Sequence, residues 1–199
     1  AAVVSGTANM KKKNETKGGP RELKVGIVGL GHLHPRSYVP LFGMAPAMRI
    51  VGVVEPNEAL RGAFCADFKI PGYASLDGLL KADKPDMAAI FLPHADCPAA
   101  AVRCAEQGIH LMVEKPVAAS AAGAAAIVRA ARKAGVKLTT GYCWRLHPVA
   151  REIKRIVESG AIGAVVAGEG RCADGRLTRY IDGHSPWILE KARSGGGPM

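Results

Sequence analysis

The sequence predicts an α/β fold, in which a doubly wound parallel sheet is followed by the start of an α+β domain. From residue 22 onward, short runs rich in β-branched residues alternate regularly with longer helical patterns, which is typical of a parallel sheet with crossover helices. The short runs are almost continuously apolar, as expected of strands covered on both faces. We expect five buried strands, at residues 23–29, 48–55, 87–93, 109–115 and 136–142.

The intervals between the predicted strands carry helical patterns. The clearest spans residues 118–135, where Ser120 is a good N-cap and Gly135 can end the helix. Ile127 and Ala131 fall on one face of this helix, and basic residues in its last turns complement the helix dipole. Four further helices are expected, at residues 34–45, 57–68, 75–82 and 96–108.

A glycine-rich turn follows the first predicted strand. Gly29 and Gly31 lie between that strand and the first helix, a context in which G-x-G indicates a Rossmann-type dinucleotide site. The first glycine allows the tight turn, and the second leaves room for a pyrophosphate. The backbone N–H groups of Gly31, His32 and Leu33 should then face the anion. His34 replaces the third glycine of the pattern. The alternative interpretation is a strand-to-helix turn without a ligand.

The second predicted strand ends on an acidic residue, Glu55, which lies 24 residues after Gly31. A carboxylate at this place can accept the hydroxyls of the adenosine ribose and would repel a 2′-phosphate. The sequence therefore favours NAD over NADP as the cofactor. Two alternatives remain: Arg61 in the following helix could receive a phosphate, and Glu55 could be a solvent-exposed acid without a ligand.

The fourth predicted strand ends in Glu114 and Lys115, and Pro116 follows it. Open α/β sheets bind their ligands at the carboxyl ends of strands, and neighbouring side chains on a strand point to opposite faces. Lys115 could therefore hydrogen-bond a substrate hydroxyl or share in its proton transfer. A lysine at a strand end also has purely structural roles, so its position alone does not establish catalysis.

Histidines and cysteines give no metal signature. His32 and His34 could form a ligand pair, but no Asp, Glu or Cys accompanies them at ligand spacing, so we predict no metal site. Nucleophile-elbow, Walker and H-E-x-x-H motifs are absent from the sequence, which argues against hydrolases and kinases. The five cysteines contain no C-x-x-C and lie in apolar stretches, so we expect reduced thiols; they are Cys65, Cys97, Cys104, Cys143 and Cys172.

The formal net charge of +10 is spread along the chain. Residues 1–21 form a basic, polar lead that we expect to be disordered. Binding of nucleic acid by this lead and the basic helix around Arg151 is disfavoured, because no base-reading motif accompanies them. No apolar run reaches the roughly 18 to 20 residues that span a bilayer, and no secretory signal pattern is visible, so we expect a soluble cytoplasmic protein without membrane contact.

Several motifs occur in a recognisable order: GIVGLGHLH, VVGVVEPN, PGYASLDGLL, KPDMAAIFLP, AEQGIHLMVEKP and GYCWRLHP. The chain therefore resembles the glucose–fructose oxidoreductase and inositol dehydrogenase family, written Gfo/Idh/MocA. The resemblance implies an oxidoreductase that uses NAD or NADP and acts on a sugar, cyclitol or related polyol. It implies that Lys115 is catalytic and contacts the substrate, with Arg145 approaching the same cleft. It also implies Glu114 near the nicotinamide, and Leu92 and Pro93 beneath the cofactor.

Two departures from the family pattern matter. Where the family often has P-N-x-x-H, this chain has Pro93, His94 and, three residues later, Cys97. The chain also stops after GGGPM, before the Asp and His that the family uses for substrate binding and proton transfer, so we expect an incomplete sequence. The alternative to an oxidoreductase is a dinucleotide-binding regulatory or scaffold protein without catalysis.

These observations divide the chain into three parts: a lead at residues 1–21, an NAD(P)-binding Rossmann domain at 22–143 and an incomplete C-terminal domain at 144–199. The resemblance implies that the last part belongs to a substrate and oligomerisation domain, so that the complete protein is a homo-oligomer. Within this part, a basic amphipathic helix is expected at 148–160 and a strand at 164–172.

Overall fold

A six-stranded parallel sheet organises the computed structural model, which describes residues 21–171, 178–183 and 185–196. The strands are β1 (Leu23–Val28), β2 (Met48–Val54), β3 (Gly72–Tyr73), β4 (Met87–Ile90), β5 (His110–Val113) and β6 (Leu138–Thr140). Their order is β3-β2-β1-β4-β5-β6, and every neighbouring pair is parallel. The order reverses between β1 and β4, as in a doubly wound Rossmann sheet. The predicted fold class is confirmed.

Six helices lie at the predicted places, five of them between strands and the sixth after β6. They are α1 (Pro35–Met44), α2 (Glu58–Phe68), α3 (Leu76–Ala82), α4 (Cys97–Glu106), α5 (Ala121–Ala134) and α6 (Pro148–Glu158). The predicted caps of α5 are present: the Ser120 hydroxyl accepts the backbone N–H of Gly123, and Gly135 adopts a left-handed conformation with φ +67°. The sequence patterns therefore located these helices to within a few residues.

The sheet differs from the prediction by one added strand and by several shorter strands; the strand expected at 87–93, for example, ends at Ile90. We expected five strands, but β3 adds a sixth, in which Gly72 pairs with Val53 and Tyr73 with Val54. A strand of two residues has no apolar run that a sequence pattern could detect. The strand expected at 136–142 is shorter than predicted, since only Leu138–Thr140 pair with β5.

Apolar side chains fill both faces of the sheet, which explains the continuous apolar runs of its central strands. The helices α3, α4 and α5 cover one face, and α1 and α2 cover the other. The first layer contains Leu79, Ala101, Cys104, Ile127 and Ala131, and the second contains Phe42, Phe64 and Phe91. The sheet is thus a rigid platform for the loops at its carboxyl edge.

The part after β6 is less regular. The helix predicted at 148–160 is present as α6, but the described residues 164–171 form no strand, so the strand predicted at 164–172 is wrong there. Val165 and Val166 are 60% and 95% exposed, and no other strand in the described part of the chain lies beside them to supply backbone partners. Cys172 and residues 1–20 of the predicted lead lie outside the described residues.

The last described residues return to the sheet. They contain α7 (Thr178–Asp182) and α8 (Lys191–Ser194). The backbone N–H of Ala95, which follows β4, donates to the carbonyl of Arg193 in α8 at 3.0 Å. This segment is therefore held at the carboxyl edge of the sheet. Among the described residues, no helix is both long and apolar enough to cross a membrane.

Candidate active site

The carboxyl ends of β1, β4, β5 and β6 open onto one cleft of about 1130 Å³. It lies at the point where the strand order reverses, the position at which open α/β sheets bind ligands. The loops after the strands supply its wall: His32 and His34 follow β1, His94 follows β4, and Lys115 follows β5. The sheet therefore brings together residues that are far apart in the sequence.

The charge of the cleft is positive. Lys115, Arg145, Arg151 and Lys154 line it, whereas no carboxylate does so among the described residues. Arg145 belongs to a short 3₁₀ turn, Cys143–Leu146, that extends the wall beyond β6. Arg145 is thus in the cleft to which the resemblance assigned it, although it is exposed. The cleft is electrostatically suited to an anionic ligand.

The glycine turn after β1 is tightly packed at its first glycine. Gly29 has φ +89°, a left-handed conformation that favours glycine. A Cβ at this position would lie 2.6 Å from Leu92 Cδ2, so Leu92 packs directly against the turn. The backbone N–H of Gly29 donates to the carbonyl of Val54 at 2.8 Å, which joins the turn to the end of β2.

The second half of the turn is open. A Cβ at Gly31 would have only one neighbour within 4 Å, Trp187 Nε1 at 3.8 Å. Among the described residues, the backbone N–H groups of Gly31, His32 and Leu33 have no protein acceptor. These groups precede α1, whose dipole adds positive potential at this end. The turn therefore offers three free donors for an anion.

Glu55 is buried beside this turn, with 8% of its surface exposed. One carboxylate oxygen accepts the backbone N–H of Leu30 at 2.8 Å, and the other accepts that of Asn57 at 2.9 Å. Arg61 donates to the carbonyls of Glu55 and Pro56. Glu55 is therefore not the solvent-exposed acid of the alternative interpretation, and Arg61 already has backbone acceptors.

Glu114 is a buried carboxylate that connects two loops. Its Oε1 accepts the backbone N–H of Lys115 at 2.9 Å, and its Oε2 lies 3.0 Å from Nδ1 of His34. Burial by itself would raise the pKa of Glu114, but the His34 imidazole and the Lys115 N–H together hold that pKa below its ordinary value. Glu114 thus joins the loop after β1 to the end of β5.

Lys115 lines the cleft, whereas the neighbouring Glu114 is buried. Its peptide bond to Pro116 is cis. Pro93, which ends the segment after β4, is buried, and its carbonyl accepts the backbone N–H of Asp96 at 2.8 Å. Leu92, Pro93 and Lys115 therefore lie in neighbouring loops at the carboxyl edge of the sheet.

Two further histidine rings are buried in the cleft wall. Burial lowers the pKa of His32 to about 3, so this ring is neutral at neutral pH. Burial also lowers the pKa of His94, whose Nδ1 donates to the carbonyl of Ser194 at 2.8 Å. The buried Nε2 of His94 has no hydrogen-bond partner within the described residues. Both rings can therefore act as neutral acceptors or donors.

The returning C-terminal segment contacts the glycine turn, which the sequence did not predict. The Ser185 hydroxyl and the Trp187 indole N–H both donate to the carbonyl of Gly31. The Trp187 ring is buried and meets the His94 ring edge-on, with 4.8 Å between centroids. This segment therefore fixes the orientation of the Gly31 peptide.

The part of the chain that forms the sheet matches a known protein family. Residues 23–142 match the family model described as "Oxidoreductase family, NAD-binding Rossmann fold". This stretch includes the glycine turn, Glu55 and Lys115, which all lie at the carboxyl edge of the sheet. The match confirms the resemblance indicated by the sequence motifs.

Individual relatives include sugar dehydrogenases. D-xylose 1-dehydrogenase (NADP(+)) 2 of Haloferax volcanii is 34% identical over 71% of this chain and 43% of its own length. The aldose-aldose oxidoreductase of Caulobacter crescentus, solved with glycerol, is 26% identical with a TM-score of 0.70, over 89% of this chain and 53% of that one. The WlbA dehydrogenase of Bordetella pertussis, solved with NADH and UDP-GlcNAcA, shares the fold at 23% identity and a TM-score of 0.65, over 71% of this chain and 42% of that one. The chain thus spans about half the length of these relatives or less.

Proposed function

Because the chain belongs to the Gfo/Idh/MocA oxidoreductase family, we propose that it is an NAD(P)-dependent oxidoreductase that transfers a hydride between a nicotinamide cofactor and a sugar, cyclitol or related polyol. One observation carries this proposal: at the carboxyl edge of the sheet, the turn after β1 has three N–H groups without a protein acceptor, and its His32 lines one positive cleft together with Lys115. A homo-oligomeric state and a cytoplasmic location are parts of the same proposal and rest on the sequence.

The turn after β1 fits the pyrophosphate of a dinucleotide. The free N–H groups match an anion, and the absent side chain of Gly31 lets the anion approach the backbone. We assign Gly31, His32 and Leu33 to the pyrophosphate, with Gly29 shaping the turn. Leu92 and Pro93 would lie beneath the cofactor and Glu114 near its nicotinamide, as the family resemblance implies.

Glu55 supports NAD as the preferred cofactor. Each of its carboxylate oxygens accepts one backbone N–H, and a carboxylate oxygen has a second lone pair for a ribose hydroxyl. Its negative charge would repel a 2′-phosphate. Arg61, the cation in the following helix, already donates to two backbone carbonyls. The relative from Haloferax volcanii is named as NADP-dependent, so this preference is the finer part of the proposal.

The chemistry at Lys115 follows from its position. When bound, the nicotinamide supplies the hydride donor or acceptor. Lys115 would hydrogen-bond the substrate hydroxyl and take or return its proton, as a general acid or base. Glu114 holds the backbone of Lys115 in place, and Arg145 would bind a substrate oxygen at the wall of the cleft.

Turnover assays test this proposal. The chain is supplied with NAD or NADP and a panel of aldoses, cyclitols and sugar acids, and reduced nicotinamide is followed by its absorbance. We expect turnover with at least one of these substrates, and we expect it to depend on Lys115. Cofactor binding without turnover of any substrate would instead favour the regulatory or scaffold protein.

A further inference from the structure

We propose that His32, His34 and Glu114 form a binding site for a divalent transition-metal ion such as Zn²⁺. One potential ligand atom from each residue lies within 4.8 Å of the other two. The site goes beyond the proposed oxidoreductase function, in which hydride transfer and proton transfer need no metal. It also revises the prediction from sequence spacing that the chain has no metal site.

The ligand atoms are near enough to one another to share a metal ion. Nδ1 of His34 lies 3.0 Å from Oε2 of Glu114, and the three ligand atoms all lie within 4.8 Å of one another. Ligand atoms around a tetrahedral zinc ion lie roughly 3.3 Å apart, given metal–ligand distances of about 2.0–2.2 Å. The Nδ1 of His32 accepts the backbone N–H of His34 at 3.3 Å, a long contact that the ring would give up on binding a metal ion. Changes of at most roughly 1.5 Å in the distances between ligand atoms would bring them to this spacing.

Two buried polar atoms point to the same place. His34 Nδ1 and Glu114 Oε2 face each other at 3.0 Å, and within the described part of the chain neither has a hydrogen bond to any other group. Buried polar atoms normally use most of their hydrogen-bonding capacity, so two such atoms that contact only each other are uncommon. A cation between them would satisfy both lone pairs at once.

The ligand types select the class of metal. Two imidazoles and one carboxylate are the set used by catalytic zinc sites that leave a fourth position open. The same set also suits other divalent transition metals. It suits Mg²⁺ and Ca²⁺ less well, because these ions prefer ligand sets made of oxygen atoms only. His32 and His34 line the cleft, so the open position would accept water or a hydroxyl oxygen of a polyol.

The experiment uses Co²⁺ as a spectroscopic probe. Chelator-treated chain is titrated with Co²⁺ and the visible absorption recorded, with Zn²⁺ then added as a competitor. We expect saturable one-to-one binding, displaced by Zn²⁺, without a thiolate-to-cobalt charge-transfer band. His34→Ala and Glu114→Gln should each weaken binding at least ~10-fold. His110→Gln, a histidine at the opposite end of β5, is the matched control and should bind as the wild type does.

Three results would overturn the site: no saturable binding, a thiolate band that assigns the ion to a cysteine such as Cys143, or unchanged affinity in both ligand variants. Circular dichroism checks the fold of each variant. His34 is partly exposed, so His34→Ala keeps the test decisive if Glu114→Gln does not fold. NADH titrations run in parallel separate the two proposals, since Co²⁺ binding without NADH binding would contradict the oxidoreductase function and leave the metal site standing.

Discussion

The Glu55 carboxylate accepts the backbone N–H of Leu30 at 2.8 Å, across the boundary between β2 and the glycine turn. One buried side chain thereby connects the two features that predict a dinucleotide site. Its other oxygen accepts the N–H of Asn57, just before α2. Glu55 is therefore held in a fixed orientation by the protein itself, as its proposed contact with a ribose requires.

Replacing Glu55 tests this arrangement. We expect Glu55→Gln to weaken NADH binding about tenfold, since a hydrogen bond to a charged group contributes about 1.5–3 kcal/mol and the amide retains part of it. NADPH should lose less affinity, because the repulsion of its 2′-phosphate also disappears. Calorimetric titrations with both cofactors measure the ratio. Glu58→Gln, an exposed acid in the first turn of α2, is the control. Equal losses for the two cofactors would remove Glu55 from the ribose site.

Lys115 is the residue to which we assign proton transfer. Lys115→Ala should lower kcat by about 10²–10⁴, the usual contribution of a general acid or base, and should leave NADH affinity largely unchanged. Steady-state kinetics on the substrate found in the panel measures the first effect, and calorimetry the second. Lys133→Ala in the last turn of α5 is the control. Unchanged turnover in Lys115→Ala would show that the lysine is structural.

Thiol chemistry tests the packing of α4 against the sheet. Burial raises the pKa of the Cys97 and Cys104 thiols to about 12, so both are protonated and unreactive at neutral pH. Cys143 is exposed at the cleft. A thiol-specific reagent should therefore label Cys143 in the folded chain, and Cys97 and Cys104 only after unfolding, as seen by mass spectrometry of peptides. Early labelling of the α4 cysteines would contradict the described core.

Trp187 anchors the returning segment to the glycine turn. Trp187→Ala removes a buried aromatic side chain, a change that typically costs about 3–5 kcal/mol. We expect this loss to release residues 185–196 locally, so that proteases cut there while the circular dichroism of the sheet is retained. Trp144→Ala is the control, because that side chain is 74% exposed. Cleavage that is no faster than in Trp144→Ala would show that the anchor is unimportant.

Most of the sheet could be predicted because its strands are buried on both faces, which imposes continuous apolar runs. The two-residue strand β3 was not predicted, because only its pairing with β2 identifies it as a strand and its own sequence carries no strand pattern. The strand expected at 164–172 shows the opposite error. An apolar run there suggested a strand, but no neighbouring strand lies beside residues 164–171 in the described chain.

The candidate site was predicted in part. The glycine turn, Glu55 and Lys115 are each visible in local sequence, because motif and strand end coincide. The sequence analysis did not predict the contact between His34 and Glu114, because it considered only ligands that are close in sequence. The two residues lie in loops that follow different strands. One signal was available: the carboxyl ends of parallel strands meet at one edge, which places the two residues near each other. Nothing local indicated that Trp187 and Ser185 would bind the Gly31 carbonyl.

The most direct test of the account is a calorimetric titration of NADH into the wild-type chain, Gly31→Ala and Gly43→Ala. A Cβ at Gly31 meets only Trp187 Nε1 at 3.8 Å, and a Cβ at Gly43 meets nothing within 4 Å, so both variants should fold. We predict saturable binding to the wild type and to Gly43→Ala, and at least ~10-fold weaker binding to Gly31→Ala, in which the methyl group occupies the approach to the backbone. Equal binding to all three proteins, or none to the folded wild type, would contradict the assignment of this turn to a dinucleotide.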